Sequence, residues 1–287
     1  MSTGGEGSLL DRARDEVGRQ HWDEAYELLL LADQGEGLDP DGSAMLGGAA
    51  YLTGHPDVAV EAWERTHGAL LKAGDRAGAA EAALRVCDLL LDAGELSALR
   101  GWLRRAQTLI DDLPESAVHG RIAVLRGFAA LIVGDLDTCL DWGRRAKEIG
   151  TRVDDPGSLA LGRNLEGRAL IFQGHVEEGL ALIDESTIAA ISGELDPFSA
   201  SIVYCSSVCA TQALADYERA EEWAGAMERW CKRQSVGSFH GWCRVHGAEI
   251  KRMRGLLQEA EEDALRAIEE VRPYVRLERD GRSTRLG

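Results

Sequence analysis

The sequence has 287 residues, of which 45% are hydrophobic and 6% aromatic, and its formal net charge is -17. This charge opposes the phosphate contacts on which nucleic-acid binding depends, so we expect the chain to make no direct contact with nucleic acid. The six cysteines are too sparse for a disulfide scaffold, and no apolar run approaches the ~20 residues of a membrane span. We therefore expect a cytoplasmic protein without membrane contact.

The N-terminus and the segment after it differ in pattern. Residues 1–7 are rich in glycine and serine, which predicts a disordered start. Residues 8–272 repeat with a period of about forty residues, as expected for stacked supersecondary units. We therefore predict an all-α, right-handed superhelical solenoid of six to seven helical hairpins. The turns of these hairpins are expected at Gln20, Gly54, Gly94, Gly134, Gly174, Ala215 and Gly255.

Two columns of mostly small residues flank the predicted turns, as two closely packed antiparallel helices require. The column seven positions before each turn consists of Ala13, Gly47, Cys87, Gly127, Gly167, Val208 and Ala248. The column five positions after it consists of Ala25, Ala59, Leu99, Cys139, Gly179, Ala220 and Ala260. Bulky residues follow eight or nine positions after the turn, and we expect them to be core wedges between hairpins: Leu28, Trp63, Trp102, Trp142, Ile183 and Trp223.

Proline marks the connections between successive hairpins, because it cannot continue a helix interior. A serine stands close to each of these prolines and could cap the helix that follows. The expected N-caps are Ser43, Ser116, Ser158 and Ser199, beside Pro40, Pro114, Pro156 and Pro197.

These features together resemble the tetratricopeptide repeat, a helix-turn-helix hairpin whose usual unit is about 34 residues. Gly47, Gly127 and Gly167 match the small residue of that family's first helix, and Ala25, Ala59 and Ala220 match the alanine of its second. Leu99 and Gly179 depart from the alanine pattern. The period of forty residues is also longer than the usual unit by more than one helical turn.

The C-terminal half resembles, more specifically, the tetratricopeptide region of large bacterial LuxR-type transcriptional regulators. The resemblance rests on segments 167–170, 179–185, 202–205 and 239–250, with Glu222-Trp223 and Trp230-Cys231 between them. It implies a sensing or scaffolding segment in transcription control or signalling, with DNA contact made by a separate helix-turn-helix domain. The abrupt end at residue 287 suggests a short relative or a truncated product.

The last residues, 273–287, are treated apart from the repeats. Arginine recurs at Arg276, Arg279, Arg282 and Arg285, interspersed with Glu278 and Asp280. Such a run is typical of a solvated polar face, so we interpret it as an arginine-rich tail or as the start of a further helix.

One group of residues has the chemistry of a metal site. Thiolates and imidazoles on adjacent helices can share a zinc ion, and the candidates are Cys205, Cys209, Cys231, Cys243 and His246. These residues lack the paired C-x-x-C spacing of a zinc knuckle, and cysteine also packs as a small hydrophobe. The packing interpretation is the stronger one, and we predict no resident metal and no cofactor.

We expect no enzymatic activity. Phosphate-loop, zinc-helix and nucleophile-elbow motifs are missing from the sequence, and His21, His55 and His175 directly follow turn residues, where their rings should be exposed. Two hypotheses remain. In one, a groove lined by the first helices binds a peptide or partner protein as a free-standing scaffold. In the other, a peptide, protein or small-molecule effector changes the shape of a regulator of transcription.

Overall fold

The computed structural model describes residues 8–35, 37–233 and 242–276, and these contain fourteen helices and no strand. The helices are α1 (Leu9–Gly18), α2 (Trp22–Gly35), α3 (Pro40–Leu52), α4 (Pro56–Ala73), α5 (Arg76–Asp92), α6 (Leu96–Ile110), α7 (Ala117–Ile132), α8 (Leu136–Val153), α9 (Pro156–Phe172), α10 (Val176–Ser192), α11 (Pro197–Ala213), α12 (Tyr217–Arg233), α13 (Trp242–Met253) and α14 (Leu257–Arg276). They pair in chain order into seven hairpins, which confirms the predicted all-α solenoid.

Every predicted turn residue has a positive φ. The five glycines lie between 73° and 93°, whereas Gln20 is at 63° and Ala215 at 57°. A residue with a side chain is strained in this left-handed region, and glycine is not, so the recurring turn glycines reflect a backbone requirement of the hairpin. The turns are short, and the long period therefore comes from helices such as α4 and α8, which have 18 residues each.

Both predicted columns of small residues are buried along the whole series. At Gly167 and Gly179 the two helices of the fifth hairpin approach so closely that a Cβ on either residue would meet the other's carbonyl oxygen, at 2.7 and 2.5 Å. Cys87 and Cys139 occupy the same columns and are fully buried, and burial raises the pKa of the Cys139 thiol to about 11. The columns are thus packing positions, as predicted.

Replacing Gly179 by alanine should lower the free energy of unfolding by about 1–3 kcal/mol, because the new methyl group would overlap backbone atoms that cannot rotate away. Gly101 in α6 is the matched control, since a Cβ there meets nothing within 4 Å. Gly101→Ala should stabilise the protein by up to about 1 kcal/mol through helix propensity alone. Urea unfolding of both variants measures the two effects, and equal shifts of the same sign would contradict the close approach.

The wedge prediction is correct for three of its six residues. Trp63, Ile183 and Trp223 are buried, but Leu28, Trp102 and Trp142 are only partly buried. Trp102 packs edge-on against His67, with ring centroids 5.2 Å apart, and Trp142 lies under the guanidinium of Arg126 at 4.7 Å. Both tryptophans stand eight positions after their turns, and the next position is the buried one, which Leu103 occupies in α6 and Gly143 in α8.

The predicted caps are wrong at three of four positions. Ser116 is the N-cap of α7, but α3, α9 and α11 are capped by Asp39, Asp155 and Asp196. Each of these aspartates directly precedes the proline of the first helical position and accepts a hydrogen bond from the backbone N–H two residues after that proline. Proline preorganises that position, so the cap falls one residue before it and not at the serine behind it.

The superhelix closes on itself across its inner face. Phe198, at the start of α11, stacks on Tyr51 of α3 with ring centroids 4.9 Å apart. The guanidinium of Arg85, in α5, lies 4.2 Å from the centre of the Phe198 ring. We call these three residues the clasp. It joins the sixth hairpin to the second and third, and therefore encloses a space between the first helices.

The predicted domain limits are only partly covered. Helix α14 continues to Arg276, four residues beyond the expected end of the repeats at 272. The predicted disordered start, residues 1–7, and most of the predicted tail, from 277 onward, lie outside the described residues. Within the described ranges, no helix is both long enough and apolar enough to cross a membrane.

Candidate functional site

A cavity of about 240 Å³ lies on the inner face of the superhelix, beneath the clasp. The first helices of hairpins two to six, α3, α5, α7, α9 and α11, all contribute to its walls. The position directly after the first small column supplies a wall residue in four successive hairpins: Asp88, Phe128, Arg168 and Cys209. The repeat that packs the hairpins therefore also aligns one side chain from each toward a common space.

Most of the wall is apolar, as is usual for ligand sites in which a few polar groups fix orientation. The aliphatic side chains and Phe128 come from four of the five helices: Leu91, Val124, Leu125, Phe128, Ile132, Leu161 and Ile202. Ile132 is 54% exposed although it belongs to this wall, so it stands at the mouth of the cavity. A ligand that covers it would remove apolar surface from water.

Carboxylates and an arginine form one polar side of the cavity. Asp88 is buried and pairs with Arg121 of the next hairpin, and burial raises the pKa of Asp88 even so. Asp92, one turn further along α5, accepts a hydrogen bond from the Tyr51 hydroxyl at 3.3 Å. Burial and the neighbouring Asp88 raise the pKa of Asp92 to about 7. This side of the cavity therefore changes charge near neutral pH.

A second polar group of the wall is Arg168, on α9. Its Nη1 donates to the Ser206 hydroxyl at 3.1 Å, and Ser206 in turn donates to the side-chain oxygen of Asn164. Asn164 is fully buried and also donates to Ser186 and Ser207. The guanidinium is thus held by a buried network that spans α9, α10 and α11.

The structure brings together some of the predicted zinc candidates. Cys209 Sγ lies 3.1 Å from His246 Nε2, and Cys205 is one turn away in α11. The hydrogen bond with Cys205 and burial raise the pKa of the Cys209 thiol well above its ordinary value, so this thiol is not poised as a thiolate. The hydrogen bond with Cys209 raises the pKa of His246.

The other two candidates do not complete a described cluster. Cys231 lines a different cavity, between α12, α13 and α14, and the Cys243 side chain lies outside the described residues. Among the side chains that the structure does describe, no group of three His, Cys, Asp or Glu residues is arranged to hold a metal ion. The absence of a resident metal stays a prediction, and Cys209 of the thiol–imidazole pair lines the inner cavity.

The cavity between α12 and α14 measures about 490 Å³ and differs in character. Its charged groups neutralise one another, with Lys251 Nζ 2.7 Å and Arg244 Nη1 3.8 Å from the carboxylate of Asp263. The three histidines predicted beside turns, His21, His55 and His175, are exposed as expected. The inner cavity is therefore the candidate functional site.

Sequence reasoning missed Asp88, Asp92, Arg121 and Arg168 as site residues. For two of them the available signal was a charged residue at the register position directly after the small column. Asp88 follows Cys87 and Arg168 follows Gly167 in this way. A charge at such a position is costly unless it is paired or faces a cavity.

No protein-family model matches the chain, and no curated protein has a significant sequence match to it. Among solved structures, the Rap conjugation gene regulator of the plasmid pLS20, in complex with the Phr* peptide, aligns with a TM-score of 0.68 at 17% identity. The alignment covers 94% of this chain and 74% of that one.

Two further structures align less well. BtubC from P. vanneervenii gives a TM-score of 0.46 at 16% identity over 77% of this chain and 88% of its own. The apo form of RapI gives 0.44 at 8% identity over 91% and 75%. Of these three structures, the pLS20 regulator is similar enough to establish a shared fold. Together with the seven hairpins, this similarity shows that the chain has the fold of a tetratricopeptide-like helical repeat solenoid.

Proposed function

We propose that this chain is a non-catalytic module that binds a peptide, or a peptide-like segment of a partner protein, in the cavity on its inner face. The observation that carries the proposal is the cavity itself, with apolar walls from successive first helices and a small number of positioned polar groups. The pLS20 regulator, which shares the fold, is described in complex with a peptide. That description supports a peptide as the class of ligand.

The proposal extends to transcription control or signalling in the cytoplasm. The resemblance of the C-terminal half to the repeat region of LuxR-type regulators supports it, and the structural neighbour is described as a gene regulator. In this role a bound effector would favour one shape of the superhelix. The alternative is a free-standing scaffold with no link to transcription. A helix-turn-helix domain encoded in the same or an adjacent reading frame would favour the regulator, and no such domain nearby would favour the scaffold.

A substitution at the cavity mouth tests the binding site. Ile132→Arg should weaken peptide binding at least about tenfold, because it places a charge where an apolar ligand group would rest. Ile132 is 54% exposed, so the folded state should tolerate the change. Binding is measured by affinity-selection mass spectrometry, with a pool of synthetic random octapeptides that have free termini, and then by fluorescence anisotropy with the retained peptides.

Ile188→Arg is the matched control. Ile188 is 55% exposed on α10 and does not line the cavity. We expect this variant to bind like the unmodified protein and both variants to melt at similar temperatures. If no peptide is retained, or if the retained peptides bind Ile132→Arg and the unmodified protein equally well, the inner cavity is not a peptide site.

A further inference from the structure

The two arginines of the cavity wall are in different electrostatic situations. Arg121 pairs with Asp88. Arg168 has no carboxylate within ion-pair distance among the residues that the structure describes, and the neutral hydroxyl of Ser206 is the group to which it donates. Its Nε is buried and makes no hydrogen bond there, which is also true of the Arg121 Nε, so the two residues differ in the ion pair alone. A buried guanidinium donor is costly to leave unsatisfied, and a carboxylate is the partner whose geometry matches it.

A buried hydrogen-bond network holds the Arg168 guanidinium in place. The network from Ser206 through Asn164 to Ser186 and Ser207 is buried, so the guanidinium is fixed before any ligand arrives. A preorganised side chain loses little conformational entropy on binding. The protein as a whole carries a charge of -17, which repels anions, so a carboxylate would bind here only through a local positive group of this kind.

The size of the cavity limits what can enter it. Its volume of about 240 Å³ is below the ~300–1,000 Å³ of sites that enclose a whole drug-sized ligand. One or two residues of a peptide fit, and a long segment does not. Leu161 and Ile202, on the helices that carry Arg168 and Ser206, supply apolar wall. The site therefore calls for a carboxylate and an apolar group that are close together in the ligand.

We propose that Arg168 is the anchor for the free C-terminal carboxylate of a bound peptide whose last residue is apolar. In such a residue the carboxylate and the side chain branch from the same Cα, so both requirements are met by one group. An internal aspartate or glutamate supplies the carboxylate without the apolar side chain. The inference rests on the proposed function, because it assigns one end of the peptide to one residue of the same cavity.

Two synthetic pools of octapeptides with a fixed C-terminal leucine test this proposal, one with free carboxyl termini and one with carboxamide termini. We expect the unmodified protein to retain peptides from the acid pool and to bind them about 10- to 100-fold more tightly than the same sequences as amides, as expected for loss of a charged hydrogen-bonding partner. Arg168→Gln should remove this preference. Arg145→Gln, which removes an exposed arginine of α8 outside the cavity, should keep it.

The possible outcomes separate the two proposals. Equal binding of acid and amide forms would overturn the C-terminal anchor and leave the peptide site in place. Selection of amide peptides with internal Asp or Glu, in an Arg168-dependent manner, would also overturn it, in favour of a side-chain carboxylate. Retention of neither pool would contradict both proposals. Thermal melting checks the fold of Arg168→Gln, and the comparison of acid with amide on the unmodified protein is independent of that variant.

Discussion

Trp63→Ala is expected to lower the free energy of unfolding by about 3–5 kcal/mol, the largest effect of any single substitution considered for this chain. Trp63 is 2% exposed and lies at the contact between α3 and α4. Its indole fills the space above Gly47, where an added Cβ would lie 2.3 Å from Trp63 Nε1. It also contacts the Tyr51 ring, with centroids 5.7 Å apart, so its loss leaves a cavity below the clasp. Chemical denaturation followed by circular dichroism gives the measurement.

The double-mutant cycle with Gly47 makes this test specific. Gly47→Ala alone should be destabilising, because its methyl group would overlap a rigid ring. In the Trp63→Ala background the same methyl group would fill part of the vacated space. Gly47→Ala should then destabilise the protein less, or stabilise it. Trp102→Ala is the comparison for burial. Because the Trp102 ring is only partly buried, this substitution should lower the free energy of unfolding clearly less than Trp63→Ala does. Additive effects in the cycle would show that Gly47 and Trp63 do not pack together.

Asp92→Asn should stabilise the protein by about 2–4 kcal/mol above pH 8 and have little effect at pH 4. The reason is that burial and Asp88 raise the pKa of Asp92 to about 7 in the folded protein, whereas its ordinary value is 3.8. Because Asp92 keeps some contact with solvent, we expect the stabilisation to lie nearer to about 2 than to about 4 kcal/mol. The amide of asparagine can still accept the hydrogen bond from Tyr51.

The sign of the pH dependence follows from the direction of this shift. A raised pKa means that the folded state holds its proton longer than the unfolded state, so the stability linked to Asp92 is full below about pH 4. It is lost as the pH rises from there through about 7. Urea titrations of both proteins from pH 4 to pH 8 should show the stability difference growing across this window. A difference that is constant with pH would contradict the raised pKa.

The fold could be predicted in detail because its determinants are local. A positive φ at a hairpin turn and close contact between two helices each restrict a single position to a few residue types, and both recur every forty residues. Gly54 and Gly179 therefore reveal the turn and the crossing directly. Even the turns at Gln20 and Ala215 could be located, since the spacing of their neighbours repeats although the glycine does not.

The candidate site could not be predicted in the same way, because it depends on how the hairpins stack over long distances. Arg168 and Asp92 lie on different hairpins, and only the curvature of the superhelix turns both toward one cavity. The position after the small column indicates which side chains face inward but not what they meet. The tryptophans mislead for a related reason. Trp63 stands nine positions after its turn and Trp102 eight after its own, and this difference of one position separates a buried ring from a partly buried one.

The clasp has a consequence for how this protein unfolds. In an open array each repeat contacts only its neighbours, so the terminal units can fray one at a time and the stabilities of the units add. Stacking of Phe198 on Tyr51 joins the sixth unit to the second and makes the units between them part of a loop. Helix α14 of the seventh unit also contacts α4 of the second, so fraying from the C-terminal end is opposed there as well. The units of this loop should then melt together, as in a globular domain.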